Sequence, residues 1–451
     1  MKRAASVCAL ALLLATPALG QDRMPDGVTQ TFVHLGRGVP GVVYAPMAKG
    51  PKSRIAVFVM HSTGDYLTFS ACTELSKRGY TVFCVNNATG KSQTFDDGIL
   101  DEVLAEVGTG IAYLRHDPDI DKVVLLGHSG GATVMTAYQD IAENGVKVCQ
   151  GPEKIHKCPD SLAGLPKADG VVLADANWGI ALMTLFSIDP AVVDETSGQK
   201  LDPSLDMYNP GNGYRPDGGA YSSAFERRFL AAEGARNNRI LARAQARVAA
   251  IEAGKGAYDD DEPFIVPGAS LLGGNNKLFS RDLHLLSHTQ KSWPLVRADG
   301  STITGIVHSV RVAENPKNLS RSMKAGALKT TVKNYLNNYA IRVSADFGYD
   351  ESGIHGVDWT STYASVPGNV EGIKAPLLAL GMTGHWEGLA AEAAYDHSGS
   401  SDKSLAFIEG ATHLYTPCQP CEATPGQFGD TVRTTYDYID NWLARPGRFR
   451  P

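Results

Sequence analysis

Between Asp121 and Tyr138 the sequence leaves little freedom of fold. The aliphatic run Val123-Val124-Leu125-Leu126 ends at Gly127-His128-Ser129-Gly130-Gly131, and Ala132-Thr133-Val134-Met135-Thr136-Ala137-Tyr138 follows with no spacer. Strand, one-residue turn and helix is the simplest reading of that order. The flanking glycines have a steric reason. A turn this tight drives the serine toward positive φ and brings strand and helix backbones together, so residues two before and two after it must be small. The bend lifts the Ser129 hydroxyl clear of a sheet. It also sets the Gly130 amide at the helix start, where it can donate to a developing oxyanion. Gly-x-Ser-x-Gly with both flanks correct has the pattern of a nucleophile elbow.

The neighbouring chain repeats the alternation. Val28 to Tyr44 carries two short β-like runs around Gly36 and Gly38, predicting an edge hairpin. Arg54 to Met60 is a continuous apolar strand of the kind buried in a parallel sheet. Leu67 to Arg78 reads as a helix and Tyr80 to Val85 as the next strand. Leu100, Val103, Leu104, Val107, Ile111 and Leu114 recur at helical spacing. Gly170 to Asp175, Ala375 to Gly381 and Leu405 to Glu409 read as further strands, and the stretch from about Thr431 to Leu443 as a final helix. Strands alternating with helices predict an α/β fold, a mostly parallel sheet with helices on both faces.

After Trp178 the alternation stops until about Tyr339. A Gly/Pro/Asn-rich loop from Asn209 to Gly219 precedes an Ala/Arg-rich segment, Tyr221 to Gly254, in which Ile240, Leu241, Ala244, Val248 and Ile251 repeat at helical spacing. The expected organisation is therefore a core in two parts, 21–177 and 340–451, interrupted by a mainly helical cap over 178–339. The arginines of the helical segment (Arg227, Arg228, Arg236, Arg239, Arg243 and Arg247) read as a solvated face with apolar stems packed down. The acidic tetrad Asp259-Asp260-Asp261-Glu262 lacks the alternating ligand spacing of a calcium loop.

Composition bounds the rest. A net charge of -6 over 451 residues offers no electrostatic case for nucleic acid or an anionic membrane. Met1-Lys2-Arg3, the apolar run Val7 to Ala15 and Pro17-Ala18-Leu19-Gly20 predict an export signal over residues 1–20, too short to span a bilayer. Periplasmic and extracellular destinations stay open. Its removal takes Cys8 and leaves Cys72, Cys84, Cys149, Cys158, Cys418 and Cys421, an even set that suggests disulfides in an exported chain. Cys149 and Cys158 flank a polar loop and form a plausible local pair. Cys418-Gln419-Pro420-Cys421 reads as a structural bridge; zinc there would need two further ligands.

With the elbow, the late strands and Glu409-Gly410-Ala411-Thr412-His413 in view, the chain resembles the α/β-hydrolase superfamily over about Arg54 to Trp178 and Gly372 to the C-terminus. The resemblance implies the α/β-hydrolase fold and a serine esterase or lipase-like activity, with Ser129 as nucleophile and His413, just after the last core strand, as general base. A hydroxyl at its ordinary pKa is a poor nucleophile and needs such an imidazole within hydrogen-bond reach. His128, beside the serine, would point elsewhere and serve packing or orientation; His34, His116, His156 and His308 have no supporting context.

The family's usual aspartate is missing after the penultimate strand, where Gly381-Met382-Thr383-Gly384-His385-Trp386-Glu387 stands instead. Asp175 at the preceding strand end, Glu387 and Glu392 are the candidate acids, and any of them would accept the imidazole N–H and fix its tautomer. The amides of Gly130 and Thr63 are the implied oxyanion donors. No cofactor or metal is implied, since nucleophile, base and oxyanion donors all lie in the chain. The implied reaction is cleavage of a small-molecule carboxylic ester through an acyl-enzyme. A lactone, amide or C–C bond hydrolase using the same groups, or a catalytically silent binding protein of the same fold, remains the alternative. The oligomeric state is open.

Overall fold

The computed structural model describes residues 26–36, 38–89, 98–269, 276–314 and 326–450. The expected export signal lies outside the described residues. The strands are β1 (Val28–His34), β2 (Pro40–Pro46), β3 (Ile55–Met60), β4 (Thr81–Val85), β5 (Lys122–Ser129), β6 (Gly170–Ala176), β7 (Pro263–Pro267), β8 (His288–Val296), β9 (Thr302–His308), β10 (Ala327–Thr331), β11 (Arg342–Tyr349), β12 (Ile354–Asp358), β13 (Leu377–Met382) and β14 (Lys403–Ile408). The helices that matter for the site are α1 (Ser70–Lys77), α2 (Leu100–Arg115), α3 (Gly131–Asn144), α4 (Ile180–Leu185), α5 (Ser223–Glu252), α6 (Ala390–His397) and α7 (Thr431–Leu443).

Ten strands form one sheet in the order β1-β2-β4-β3-β5-β6-β13-β14-β8-β9. From β4 to β8 the neighbours run parallel, and the antiparallel hairpins β1-β2 and β8-β9 close the two edges. This is the α/β-hydrolase fold.

The pleat sorts each apolar run between two cores, because successive strand residues face opposite ways. Phe58, Met60, Phe83, Leu125, Leu173 and Ala379 join one cluster with the apolar faces of α2, α3 and α6. Val57, Val59, Val82, Leu126, Val172 and Leu380 join the other with those of α1 and α7. That double burial is why β3, β4 and β13 contain no exposed position at all.

The observed boundaries differ from the expected ones in two places. Residues 288–308, expected within the cap, form β8 and β9 and extend the central sheet beside β14. Residues 342–358, expected within the core, form the separate pair β11-β12, which packs on α5. The remainder of the insertion is mixed: the 30-residue α5 stands with the short pair β7-β10. Ser222 caps α5 by accepting from the Phe225 amide at 3.2 Å. Ile240, Leu241, Ala244 and Ile251 are buried as the periodicity requires.

The arginine face is not uniformly solvated. Arg236 is fully buried, bridging Glu195 at 2.8 and 2.9 Å and the carbonyls of Asp189 and Pro267 at 2.7 Å. A buried guanidinium persists only when its donors are paired, and here they staple α5 to the loops beneath it. The six cysteines pair as Cys72–Cys84, Cys149–Cys158 and Cys418–Cys421. No described helix is long and apolar enough to cross a membrane.

Candidate active site

The site lies at the C-terminal ends of β5, β6, β13 and β14, where β4 and β5 depart to opposite sides of β3, a topological switch point of the sheet. Ser129 ends β5 with φ 53°. The two glycines are needed because the backbones nearly touch. A Cβ on Gly127 would stand 2.6 Å from Ala132 Cα, and one on Gly131 would stand 2.7 Å from the Met60 carbonyl oxygen. Ser129 itself is partly exposed at the tip of the bend.

Asp175 is delivered by a second irregularity. In the β5-β6 register His128 opposes Ala174 and Ser129 opposes Ala176, so Asp175 is the extra residue of a bulge, with φ 46°. A bulge turns a side chain out of the pleat. Here the turned carboxylate is wholly buried and reaches His413 Nδ1 at 2.7 Å. The Met382 amide donates to its other oxygen at 3.1 Å, and His385 Nδ1 stands 3.2 Å from the oxygen that faces His413. Burial alone would raise the Asp175 carboxyl, but the hydrogen bonds and positive character of His385 and His413 outweigh it and hold it down at about 2.

His413 follows β14 and lies against the elbow. Its ring centroid is 4.4 Å from that of His128, and its carbonyl accepts from His128 Nε2 at 2.7 Å. Donation from Nε2 leaves His128 Nδ1 as the acceptor for the Tyr66 hydroxyl. That assignment makes His128 a neutral ring, in keeping with the burial that drives its pKa well below the ordinary value. The residue next to the serine thus fixes the backbone of His413, the orienting role expected of it. Tyr415, two residues on, also has a positive φ, 67°. Three of the four non-glycine residues with positive φ among the described residues therefore frame this one site, where strain commonly concentrates.

The other two candidate acids are placed differently from each other. Glu387 Oε2 stands 3.4 Å from His413 Nδ1 and is buried without a hydrogen-bond partner. Burial raises its carboxyl, His413 and Lys277 pull it down, Asp175 pushes it up, and the balance lies at about 7. Glu392 is not in the site. It accepts from the amides of Gln290 and Lys291 at 2.9 and 3.0 Å and from Trp293 Nε1 at 2.6 Å. It docks β8 onto α6, and the group of ligand atoms gathered around His413 does not include it. On the oxyanion side, the Thr63 amide differs from expectation: it donates to His61 Nδ1 at 3.1 Å, as does Gly64 N at 2.7 Å. The side chain that closes on the Gly130 backbone is Ser62, whose Oγ lies 2.5 Å from where a Gly130 Cβ would be.

Sequence reasoning missed His385 as a second imidazole on Asp175. Its one signal is its place in the loop where the usual aspartate is absent. The inserted segment reaches this loop too. Phe279 and Trp386 rings are 5.4 Å apart, and the Lys277 ammonium sits 5.6 Å over the Trp386 ring. Burial lowers Lys277, with nearby carboxylates opposing, to about 8.

The sequence profile of the alpha/beta hydrolase family matches residues 56–309. Among solved structures the chain is similar to a hypothetical protein from Pseudomonas aeruginosa, at 11% identity over 93% of this chain and 94% of that one, with a TM-score of 0.41. It is similar to the siderophore hydrolase EstB from Aspergillus fumigatus at 11% identity, 93% and 98% coverage and a TM-score of 0.40. Est1E from Butyrivibrio proteoclasticus gives 10% identity, 92% and 97% coverage and a TM-score of 0.37. No curated protein matches the sequence.

Proposed function

We propose that this chain, which belongs to the alpha/beta hydrolase family, is an exported serine hydrolase that cleaves a small-molecule carboxylic ester. The observation that carries the reading is the 2.7 Å bond from His413 Nδ1 to the wholly buried Asp175, made beside a strained serine elbow. Asp175 holds the proton of His413 on Nδ1, which leaves Nε2 with a lone pair to take the Ser129 proton. The Ser129 oxygen then attacks the ester carbonyl, the Gly130 amide and a donor from the His61-Ser62 turn stabilise the oxyanion, and His413 returns the proton to the leaving alcohol. Water, activated by the same imidazole, releases the acid from Ser129. The positive charge that develops on His413 faces two buried carboxyl groups, Asp175 and Glu387.

The insertion packs on the Trp386 loop through Phe279 and Lys277, the position from which a cap can exclude water. Export is supported by the three disulfide pairs, which oxidising compartments favour. A fluorophosphonate probe tests the chemistry directly. Stoichiometric labelling is expected at Ser129 and lost in Ser129→Ala. An inert protein would leave a binding role for the fold. Turnover of p-nitrophenyl esters of rising chain length, beside lactones and anilides, would then assign the bond cleaved.

A further inference from the structure

We propose that Asp175, His385, Glu387 and His413 together form a transition-metal site, best suited to Zn2+, whose occupation switches the hydrolase off. Among the described residues no other group of three or more His, Cys, Asp or Glu side chains brings its ligand atoms together in this way; here all four lie within 4.8 Å of one another. Zn2+ binds imidazole nitrogen and carboxylate oxygen at about 2.0–2.2 Å in a tetrahedron, which places neighbouring donors about 3.4 Å apart. The separations here are 2.7 Å for His413 Nδ1 to Asp175, 3.2 Å for His385 Nδ1 to Asp175 and 3.4 Å for His413 Nδ1 to Glu387. An ion therefore needs only small side-chain shifts to sit among them.

Two independent features point into the same space. Glu387 Oε2 is a buried carboxylate oxygen with no hydrogen-bond partner, a state that ordinarily calls for a cation or water. His385 Nδ1 faces the Asp175 oxygen at 3.2 Å and the Glu387 amide at 3.4 Å. A neutral ring nitrogen can donate to the first or accept from the second, never both. Its unresolved lone pair is what a metal takes. Two nitrogens with two oxygens suit zinc rather than calcium or magnesium, which prefer six or more oxygens. The two carboxylates also balance the charge of a divalent ion. His385 and His413 remain partly exposed, at 18% and 26% of their side chains, which leaves an approach for the ion.

Occupation stops the reaction by moving one proton. A neutral His413 carries a single ring proton; when Nδ1 coordinates the metal, that proton resides on Nε2, and Nε2 can no longer accept from Ser129. Asp175 is simultaneously drawn from the imidazole to the ion. The ring's proton count is unchanged, since one proton leaves Nδ1 and one is taken from solvent at Nε2, and no bond of the substrate is involved. Binding of the metal stands on the cluster alone, whereas the switch rests on the serine-hydrolase reading.

The test uses the full disulfide-bonded chain, titrated with Zn2+ by calorimetry and with Co2+ as a spectroscopic probe. One equivalent of Zn2+ and the intense visible absorption of four-coordinate Co2+ are expected. His385→Gln and Glu387→Gln, with unchanged thermal midpoints, should each weaken Zn2+ binding by at least about tenfold, since even partners beyond the ligands are worth that much. Absence of binding to the parent, or an affinity equal to the parent's in both variants, overturns the site. Fluorophosphonate labelling of Ser129 should slow at saturating Zn2+ and recover on chelation; labelling unaffected by bound Zn2+ overturns the switch. A chain that is never labelled, with or without chelator, refutes the hydrolase reading instead and leaves the metal titration readable.

Discussion

Asp175→Asn is the most informative perturbation, because the structure says which way the new amide must face. One Asp175 oxygen accepts from the Met382 amide at 3.1 Å, so the asparagine oxygen stays there and its NH2 turns to His413 Nδ1. His413 must then accept at Nδ1 and carry its proton on Nε2, the tautomer that cannot deprotonate Ser129. The imidazolium of the transition state also loses its buried counter-charge. Opposite unit charges about 4 Å apart at an effective dielectric of about 20 attract by about 4 kcal/mol, about three powers of ten in rate at about 1.4 kcal/mol each. With the wrong tautomer added, kcat should fall by about 10⁴, the cost of the same change in a well-studied serine triad. Asparagine tolerates the left-handed backbone at this bulge as aspartate does, so the fold should survive. The assay is ester turnover at saturating substrate beside a thermal melt. A folded variant that keeps more than about a tenth of the activity would refute the assignment and, if Glu387→Gln is then the inactive one, transfer the role to Glu387.

Two further outcomes follow from the surroundings. Glu392→Gln turns one acceptor into a donor against the amides of Gln290 and Lys291 and the Trp293 indole, so stability should drop by about 1–3 kcal/mol. Turnover per folded molecule should be unchanged; a selective loss of kcat would contradict the exclusion of Glu392 from the site. Asp140, buried on α3, has its carboxyl raised by burial from 3.8 to about 6, the Asn144 amide only partly opposing. The folded state therefore holds this proton more tightly, and stability should fall as pH rises from about 4 to 6 and then level off. Asp140→Asn should be more stable than the parent at pH 8, by on the order of 2–3 kcal/mol at about 1.4 per pH unit, with the gap closing near pH 4. Denaturant midpoints at the two pH values check it, and a gap independent of pH would remove Asp140 as the cause.

The strands that meet two cores were legible because burial on both faces demands unbroken apolar runs, as in β3 and β13. The final helix, Thr431–Leu443, was legible because one face, with Tyr436, Ile439 and Leu443, joins the core that holds Leu126 and Leu380 and the other is polar. The β8-β9 hairpin was readable in principle: Asp299-Gly300 at its turn, with Gly300 at φ 79°, is a strong hairpin signal. Hydrophobic periodicity does not reveal it, because β8 is half-exposed and carries Gln290 and Lys291, so it lacks the apolar run that marks the other strands. Arg236 could not be told from its solvated neighbours, since its partners Glu195 and Pro267 lie far along the chain.

By itself the sequence determined the alternation, the serine bend and the histidine after the last core strand, all of which follow from local sterics and from the period of side-chain burial. Only the tertiary structure sets the carboxylates apart in space. Asp175, Glu387 and Glu392 are chemically near-equivalent in a string of letters; a one-residue bulge turns the first toward His413, a short loop leaves the second beside it, and α6 commits the third to β8. Acidity, reach and access are set by what surrounds a group in space, and those surroundings are assembled from segments more than two hundred residues apart.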